Sequence, residues 1–168
     1  MTTLPAALGG GNRLVVWRLD QQIHAATWDS GEGAFRGGGR WNSKGVRAVY
    51  CSLDAATAIL EVAVHKRFEV LDTVPYVITA VRIADVGEVH AVKSDAVPNP
   101  NWLRPGTPSA GQQAFGDDLL RNHRFVAIPS AVSTHSWNLI FDPVKAAGFY
   151  SLELQERFAL DTRLHPPA

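Results

Sequence analysis

The chain has 168 residues, 46% of them hydrophobic and 19% charged, which favours one domain with a real core and excludes wholesale disorder. Sixteen Lys and Arg balance sixteen Asp and Glu, and zero net charge argues against direct nucleic-acid binding. One cysteine excludes an intramolecular disulfide and a cysteine-built zinc site, and no apolar run approaches the roughly 18 residues of a membrane span.

Residues 1–12 end in three glycines and an asparagine, lack the basic and apolar regions of a signal peptide, and read as a flexible leader. The expectation is therefore a soluble, cytoplasmic protein. Residues 14–19 (LVVWRL) are a run of β-formers and predict a strand. Residues 27–39 hold five glycines and predict a loop. A second short strand is predicted at 47–51 (RAVYC), with Ser52 as the N-cap of a helix over 53–67. Ala56, Ile59, Leu60, Ala63 and Val64 give that helix one apolar face.

The strongest central strand is 76–83 (YVITAVRI). Residues 97–108 hold four prolines and predict a loop around Trp102. Ser109 and Gln112 have capping-box spacing and open a helix predicted to run to Asn122. Strands follow at 125–128 and 138–141. Residues 150–160 alternate, with Tyr150, Leu152, Leu154, Phe158 and Leu160 on one face, and predict a half-buried strand. Many strands, few helices and no βαβα rhythm give an α+β class with a mixed or antiparallel sheet.

Several familiar signals fail. Gly31 and Gly33 begin a GxGxxG pattern, but position 36 is Arg. Residues 39–45 lack the Gly-Lys-Ser/Thr ending of a phosphate loop. The six histidines never pair at i, i+4 on a predicted helix, and no metal site is expected. Cys51 lacks an activating neighbour in sequence and reads as a small core residue.

Five polar residues sit beside predicted apolar structure: Arg18, Arg40, Tyr50, Glu61 and Ser130. Each also suits ordinary structural work. Arg18 can snorkel from an edge strand, Arg40 can be a loop charge, and Tyr50 can be a core ring. Glu61 can form a salt bridge, and Ser130 can cap a turn after Pro129. Taken together they suggest a site for an anionic, ring-bearing ligand. Arg pairs bidentately with phosphate, Tyr stacks, and a carboxylate stabilises positive charge. Thr57, Glu61 and His65 at i, i+4, i+8 predict a polar stripe along the helix.

The ordered motifs Trp17-Arg18, Gly38-Gly39-Arg40-Trp41-Asn42, Val49-Tyr50-Cys51-Ser52, Ala58-Ile59-Leu60-Glu61 and Pro129-Ser130-Ala131 resemble those of the RES domain, named for its Arg, Glu and Ser. Pro100-Asn101-Trp102, the run from Gln113 to Asp117 and the run from Phe158 to Leu164 look like its lesser motifs. The resemblance spans about residues 14–164 and places a RES domain at 13–165.

The resemblance implies an ADP-ribosyltransferase-like fold and a bacterial toxin whose partner is an Xre-like helix-turn-helix antitoxin. It leaves room for a homodimer within that complex. NAD is the implied substrate, cleaved at its nicotinamide–ribose bond by a glycohydrolase or phosphorylase. Mono-ADP-ribosylation of a protein is the alternative, and a non-catalytic NAD-binding module the third. By the same resemblance, Arg18 and Arg40 hold NAD, Tyr50 stacks on the nicotinamide, Glu61 stabilises the ribose cation, and Ser130 fixes the ribose or amide. Glu61, Arg40 and Ser130 form the implied catalytic set, with no metal. One departure stands out: Asp142-Pro143-Val144-Lys145 occupies the place where the family often carries Asn-Pro and then His.

Overall fold

The computed structural model describes residues 13–167, so the expected leader at 1–12 lies outside the described residues. The strands are β1 (Leu14–Gln21), β2 (Val49–Ser52), β3 (Tyr76–Ile83), β4 (Val89–Ala91), β5 (Phe125–Pro129), β6 (Trp137–Phe141) and β7 (Tyr150–Phe158). The helices are α1 (Glu32–Gly37), α2 (Ala55–Thr73) and α3 (Ala110–Asn122), and a 3-10 helix covers Gln22–Thr27. The strands form a seven-stranded sheet in the order β4-β5-β6-β2-β1-β3-β7. Its pairings are antiparallel except β4 with β5. The α+β class expected from the sequence is what the chain adopts.

Alternation sorts the sheet residues onto two cores. Phe125, Ala127, Leu139 and Phe141 point to one face and pack with Leu14, Val16, Val49, Cys51 and Val81. Val126, Ile128 and Ile140 point to the other and meet Trp41, Trp102, Leu119 and Leu120. Every residue of β5 and β6 is buried, which suits a strand run covered on both faces. Full burial of each large side chain contributes about 1.5–3 kcal/mol. α2 lies on the second face beyond β2, where Ala63 and Leu71 pack with Leu19, Tyr76 and Ile78.

The β1–β2 seam is thin, with one register pair, Trp17 opposite Ser52. Ser52 in turn pairs with Asn138 of β6. Trp17, Ser52 and Asn138 therefore share the face that α2 covers, and Arg18 leaves on the opposite face with Val16 and Cys51.

Five local expectations are corrected. The cap of α2 is Asp54, whose Oδ1 accepts from the Thr57 amide at 2.8 Å and whose Oδ2 accepts from the Thr57 hydroxyl at 2.7 Å. Ser52 is still in β2 and does other work. The stripe Thr57–Glu61–His65 does not form, because Thr57 serves the cap and His65 is exposed. α2 also continues past Arg67, where φ is 64° and ψ 151° break the helix, to bring Phe68 and Leu71 against Tyr76. That backbone is sparsely populated for any residue with a Cβ.

α1 forms inside the expected glycine loop, braced by Glu32, which pairs with both Arg36 and Arg47. β7 does not bury one apolar face. A register shift opposite Ala80 and Val81 puts Leu152 beside Val81 and Leu154 beside Ala80, on opposite faces. Because β7 is an edge strand, the two leucines are left 51% and 40% exposed.

Candidate functional site

The carboxylate of Glu61 projects from α2 onto the ends of β5 and β6. Its Oε1 accepts from the Ser130 hydroxyl at 2.7 Å and from Asn138 Nδ2 at 2.6 Å. Asn138 is oriented by Ser52, whose hydroxyl donates to Asn138 Oδ1 at 2.7 Å. Ser130 is oriented by the backbone, since its Oγ accepts from the amides of Val132 and Ser133 at 3.2 and 3.1 Å. Ser130 is therefore both the turn cap and a partner of Glu61. Ser52, Ser130 and Asn138 are all buried. One carboxylate oxygen is thus fixed by two donors, while Oε2 accepts no hydrogen bond among the described residues. Half-burial of a carboxylate is tolerable because the charge is hydrogen-bonded.

Arg40 sits on a loop clamped from three sides. The Tyr50 hydroxyl accepts from the Trp41 amide at 3.0 Å and donates to Asn42 Oδ1 at 2.7 Å. Asn42 Nδ2 donates to the carbonyls of Ala34 in α1, Ser43 and Val46. From α3, Gln113 Nε2 donates to the Gly39 carbonyl at 2.9 Å, and Asp117 Oδ1 accepts from the Ser43 amide at 2.9 Å.

Two glycines make the clamp sterically feasible. A Cβ at Gly39 would stand 2.7 Å from both the Tyr50 hydroxyl and Asn42 Oδ1. A Cβ at Gly116 would stand 2.0 Å from the Trp41 carbonyl oxygen. The motif from Gln113 to Asp117 thus holds the Arg40 loop. Arg40 Nη1 donates to the Trp102 carbonyl at 2.6 Å and more loosely to that of Arg104 at 3.4 Å. Its Nε and Nη2 have no described protein partner. Burial raises the Tyr50 phenol well above its ordinary range, the Trp41 amide opposing, so it stays protonated and can donate to Asn42.

Arg18 stands apart from the other four. Its Nε and Nη2 grip Asp20 at 2.7 and 2.8 Å, and Nη1 donates to the Tyr50 carbonyl at 2.8 Å. It ties β1 to β2 from behind the sheet, just past their one register pair. Its neighbour across the seam, Cys51, is buried, and burial pushes the thiol up to about 12, so it is an inert core residue as expected. Asp142 Oδ1 accepts from the Val144 amide, and Lys145 donates to the Arg121 carbonyl at the end of α3. The departing residues therefore shape a turn and a helix terminus.

Sequence reasoning missed Ser52 and Asn138 as parts of the site. Asn138 carried one signal: it is the only polar residue of the fully buried strand β6. Among the described residues, no group of three or more His, Cys, Asp or Glu is placed to hold a metal, and no helix is long and apolar enough to cross a membrane.

A mixed sheet carrying a clamped arginine on one loop and an anchored glutamate on α2 is the arrangement that known proteins can be compared with. The RES domain family matches residues 15–162, and the chain belongs to that family. The "Toxin Res" of Photorhabdus laumondii is 27% identical over 155 residues, covering 90% of this chain and 97% of that protein. The "Prs ADP-ribosylating toxin" of Sphingobium sp. is 31% identical over 133 residues, covering 76% and 81%. The fold is similar to a chain in the crystal structure of the M. tuberculosis MbcT–MbcA toxin–antitoxin complex, with a TM-score of 0.62, 19% identity, and coverage of 88% of this chain and 85% of that one.

Proposed function

We propose that the chain is the toxin of a toxin–antitoxin pair and consumes NAD by breaking its nicotinamide–ribose bond. The observation that carries this reading is the Glu61 carboxylate, with Oε1 held by Ser130 and Asn138 and Oε2 left for a ligand. In the reaction the bond between C1′ and the nicotinamide nitrogen breaks, and its electron pair leaves with nicotinamide, which becomes neutral. The ribose carbon develops positive charge. An oxygen of water or phosphate then bonds to it, and for water a proton is released.

The protein has two electrostatic tasks. Arg40, with Nε and Nη2 uncommitted, holds the pyrophosphate. Glu61 holds a ribose hydroxyl and stabilises the developing cation from a fixed position. The Tyr50 ring offers a face for the nicotinamide while its hydroxyl keeps the Arg40 loop in place. Ser130 fixes Glu61. Arg18 acts through Tyr50 and the β1–β2 seam, since Asp20 already neutralises its charge.

A second reading has specific support: the Sphingobium relative is named as ADP-ribosylating. In that case a protein side chain replaces water or phosphate as the acceptor. Incubating purified protein with NAD separates the two. Free ADP-ribose or ADP-ribose 1-phosphate with stoichiometric nicotinamide supports NAD destruction, and label fixed on a protein supports transfer. No nicotinamide release under either condition overturns both.

The solved neighbour is a toxin–antitoxin complex, which supports a partner that silences this site. An acidic segment of an Xre-like antitoxin suits the free edge of Arg40. Co-expression with the full antitoxin restores cellular NAD and growth on this reading; an antitoxin lacking its C-terminal tail that restores them equally removes the plug.

A further inference from the structure

We propose that Arg104 is the second cation of the anion site that Arg40 opens, and that it takes the second phosphate of the dinucleotide's pyrophosphate. This rests on the NAD reading above and adds a residue to the same site. Arg104 stands in the proline-rich loop, directly before Pro105.

The two arginines are tied to each other through their backbones. Arg40 Nη1 donates to the Trp102 carbonyl at 2.6 Å and lies 3.4 Å from the Arg104 carbonyl oxygen. A carbonyl oxygen stands about 2.4 Å from the Cα of its own residue, so the Arg104 Cα is at most about 6 Å from that guanidinium nitrogen. Neighbouring tryptophans fix the approach. Trp41 follows Arg40, Trp102 lies two residues before Arg104, and the two buried rings have centroids 5.8 Å apart. Short turns complete the support. The Trp102 amide donates to the Asn99 carbonyl at 3.2 Å, and the Arg104 amide to the Asn101 carbonyl at 3.0 Å. Arg104 therefore leaves a fixed backbone point beside Arg40, with an exposed side chain long enough to cross the gap.

Charge says what the pair is for. Most arginines of the chain are held in ion pairs, but among the described residues no carboxylate pairs with Arg40 or Arg104. Asp117, the carboxylate of the Arg40 clamp, is turned to the Ser43 amide. Asp95 lines the cavity that Trp102 and Leu103 border, together with His135, and it pairs with neither arginine. Two guanidinium groups that share so small a space repel each other until an anion joins them. A pyrophosphate diester carries one negative charge on each phosphate. The Nε–Nη2 edge of Arg40 matches one phosphate bidentately and leaves the other without a counter-ion. Arg104 supplies it.

The test uses the full chain, two variants and two readouts. Arg104→Gln removes the charge and Arg104→Lys keeps it without the fork. Both keep the backbone carbonyl near Arg40, and the side chain is exposed, so Tm without ligand stays at the wild-type value. The first readout is stabilisation by inorganic pyrophosphate, which needs no turnover. Wild type gains Tm, Arg104→Gln needs about tenfold more pyrophosphate for the same gain, and Arg104→Lys falls between. The second is nicotinamide release, in which Arg104→Gln raises KM for NAD about tenfold at unchanged kcat. A wild-type KM in Arg104→Gln overturns the proposal. So does a lower Tm without ligand, or a fall in kcat at unchanged KM, since either makes Arg104 a structural residue. The two readouts also separate two failures. A wild type that pyrophosphate stabilises no more than it does Arg104→Gln fails at the anion site. One that pyrophosphate stabilises through Arg104 but that releases no nicotinamide fails in the NAD reading, and the assignment to a dinucleotide falls with it.

Discussion

Replacing Glu61 with Gln isolates charge from shape. The Gln carbonyl can take the place of Oε1 and accept from Ser130 and Asn138, which now stand at 2.7 and 2.6 Å, while the amide nitrogen takes the place of Oε2. Two charge-assisted hydrogen bonds become neutral ones. That weakening, about 1 kcal/mol each, is offset by no longer holding a carboxylate half-buried. Net destabilisation stays near 1 kcal/mol, a Tm shift of about 2–4 °C for a domain of this size. Catalysis loses far more. A unit charge about 4 Å from a developing cation, at an effective dielectric of about 20, is worth about 4 kcal/mol. The cation is only partly formed in the transition state, so turnover falls about 100- to 1,000-fold. Nicotinamide release and thermal melting on the same preparation measure both quantities. Wild-type turnover in a folded Glu61→Gln protein refutes the charge-stabilisation argument; a collapse in Tm larger than about 10 °C refutes the claim that Gln fits the anchored geometry.

Four further outcomes are expected. Asn138→Ala frees Oε1 from one donor and lowers kcat about tenfold or more, and Ser52→Ala, which acts through Asn138, lowers it less; the reverse order contradicts the relay. Arg40→Lys raises KM for NAD at nearly wild-type Tm, whereas Arg18→Lys loses its Asp20 fork and Tyr50 bond and costs about 1–3 kcal/mol of stability; equal KM effects with no melting change at Arg18 would make it a substrate contact instead. Gly116→Ala drives a methyl to 2.0 Å from the Trp41 carbonyl oxygen and costs about 3 kcal/mol or more by urea unfolding, so a neutral result denies the close approach of α3 to the loop. His123, held below the ordinary histidine range by desolvation and then by His90 and Lys145, binds its proton less readily folded than unfolded. Its stability contribution is therefore present above about pH 6.5 and lost as pH falls toward its folded value, and His123→Gln flattens the melting curve across that window.

The sequence was legible where one residue's surroundings are local. The run from Tyr76 to Ile83 is a strand wherever it is put, and Ser109 caps α3 through the amide three residues on. It was opaque where a partner is distant. Ser52 has the chemistry of a helix cap, and only β6, 86 residues away, reveals that it serves Asn138 instead. Glu32–Gly37 carries two glycines against helix formation and still folds as α1, because Arg47 and Asn42 hold it from outside. β7 reads as half-buried until the shift opposite Ala80 and Val81 divides its leucines between two faces. In the candidate site, the five motif residues could be picked out, but sequence alone could not show that Arg18 lies behind the sheet. That follows from strand parity combined with the pairing of Trp17 and Ser52.

The three-sided clamp on the Arg40 loop also decides when its ordering entropy is spent. A free loop surrenders about 1–2 kcal/mol per residue when it is fixed, and a site built on one would lose that amount each time substrate arrived. Here Tyr50, Gln113 and Asp117 fix the backbone from residue 39 to residue 43 as the chain folds. On the proposed reading, substrate meets a guanidinium carried on a backbone already fixed, and association proceeds without waiting for closure. The same rigidity has a cost in tolerance. A change on the buried side of α3, far in sequence from Arg40, is transmitted to the Arg40 loop with little slack to absorb it.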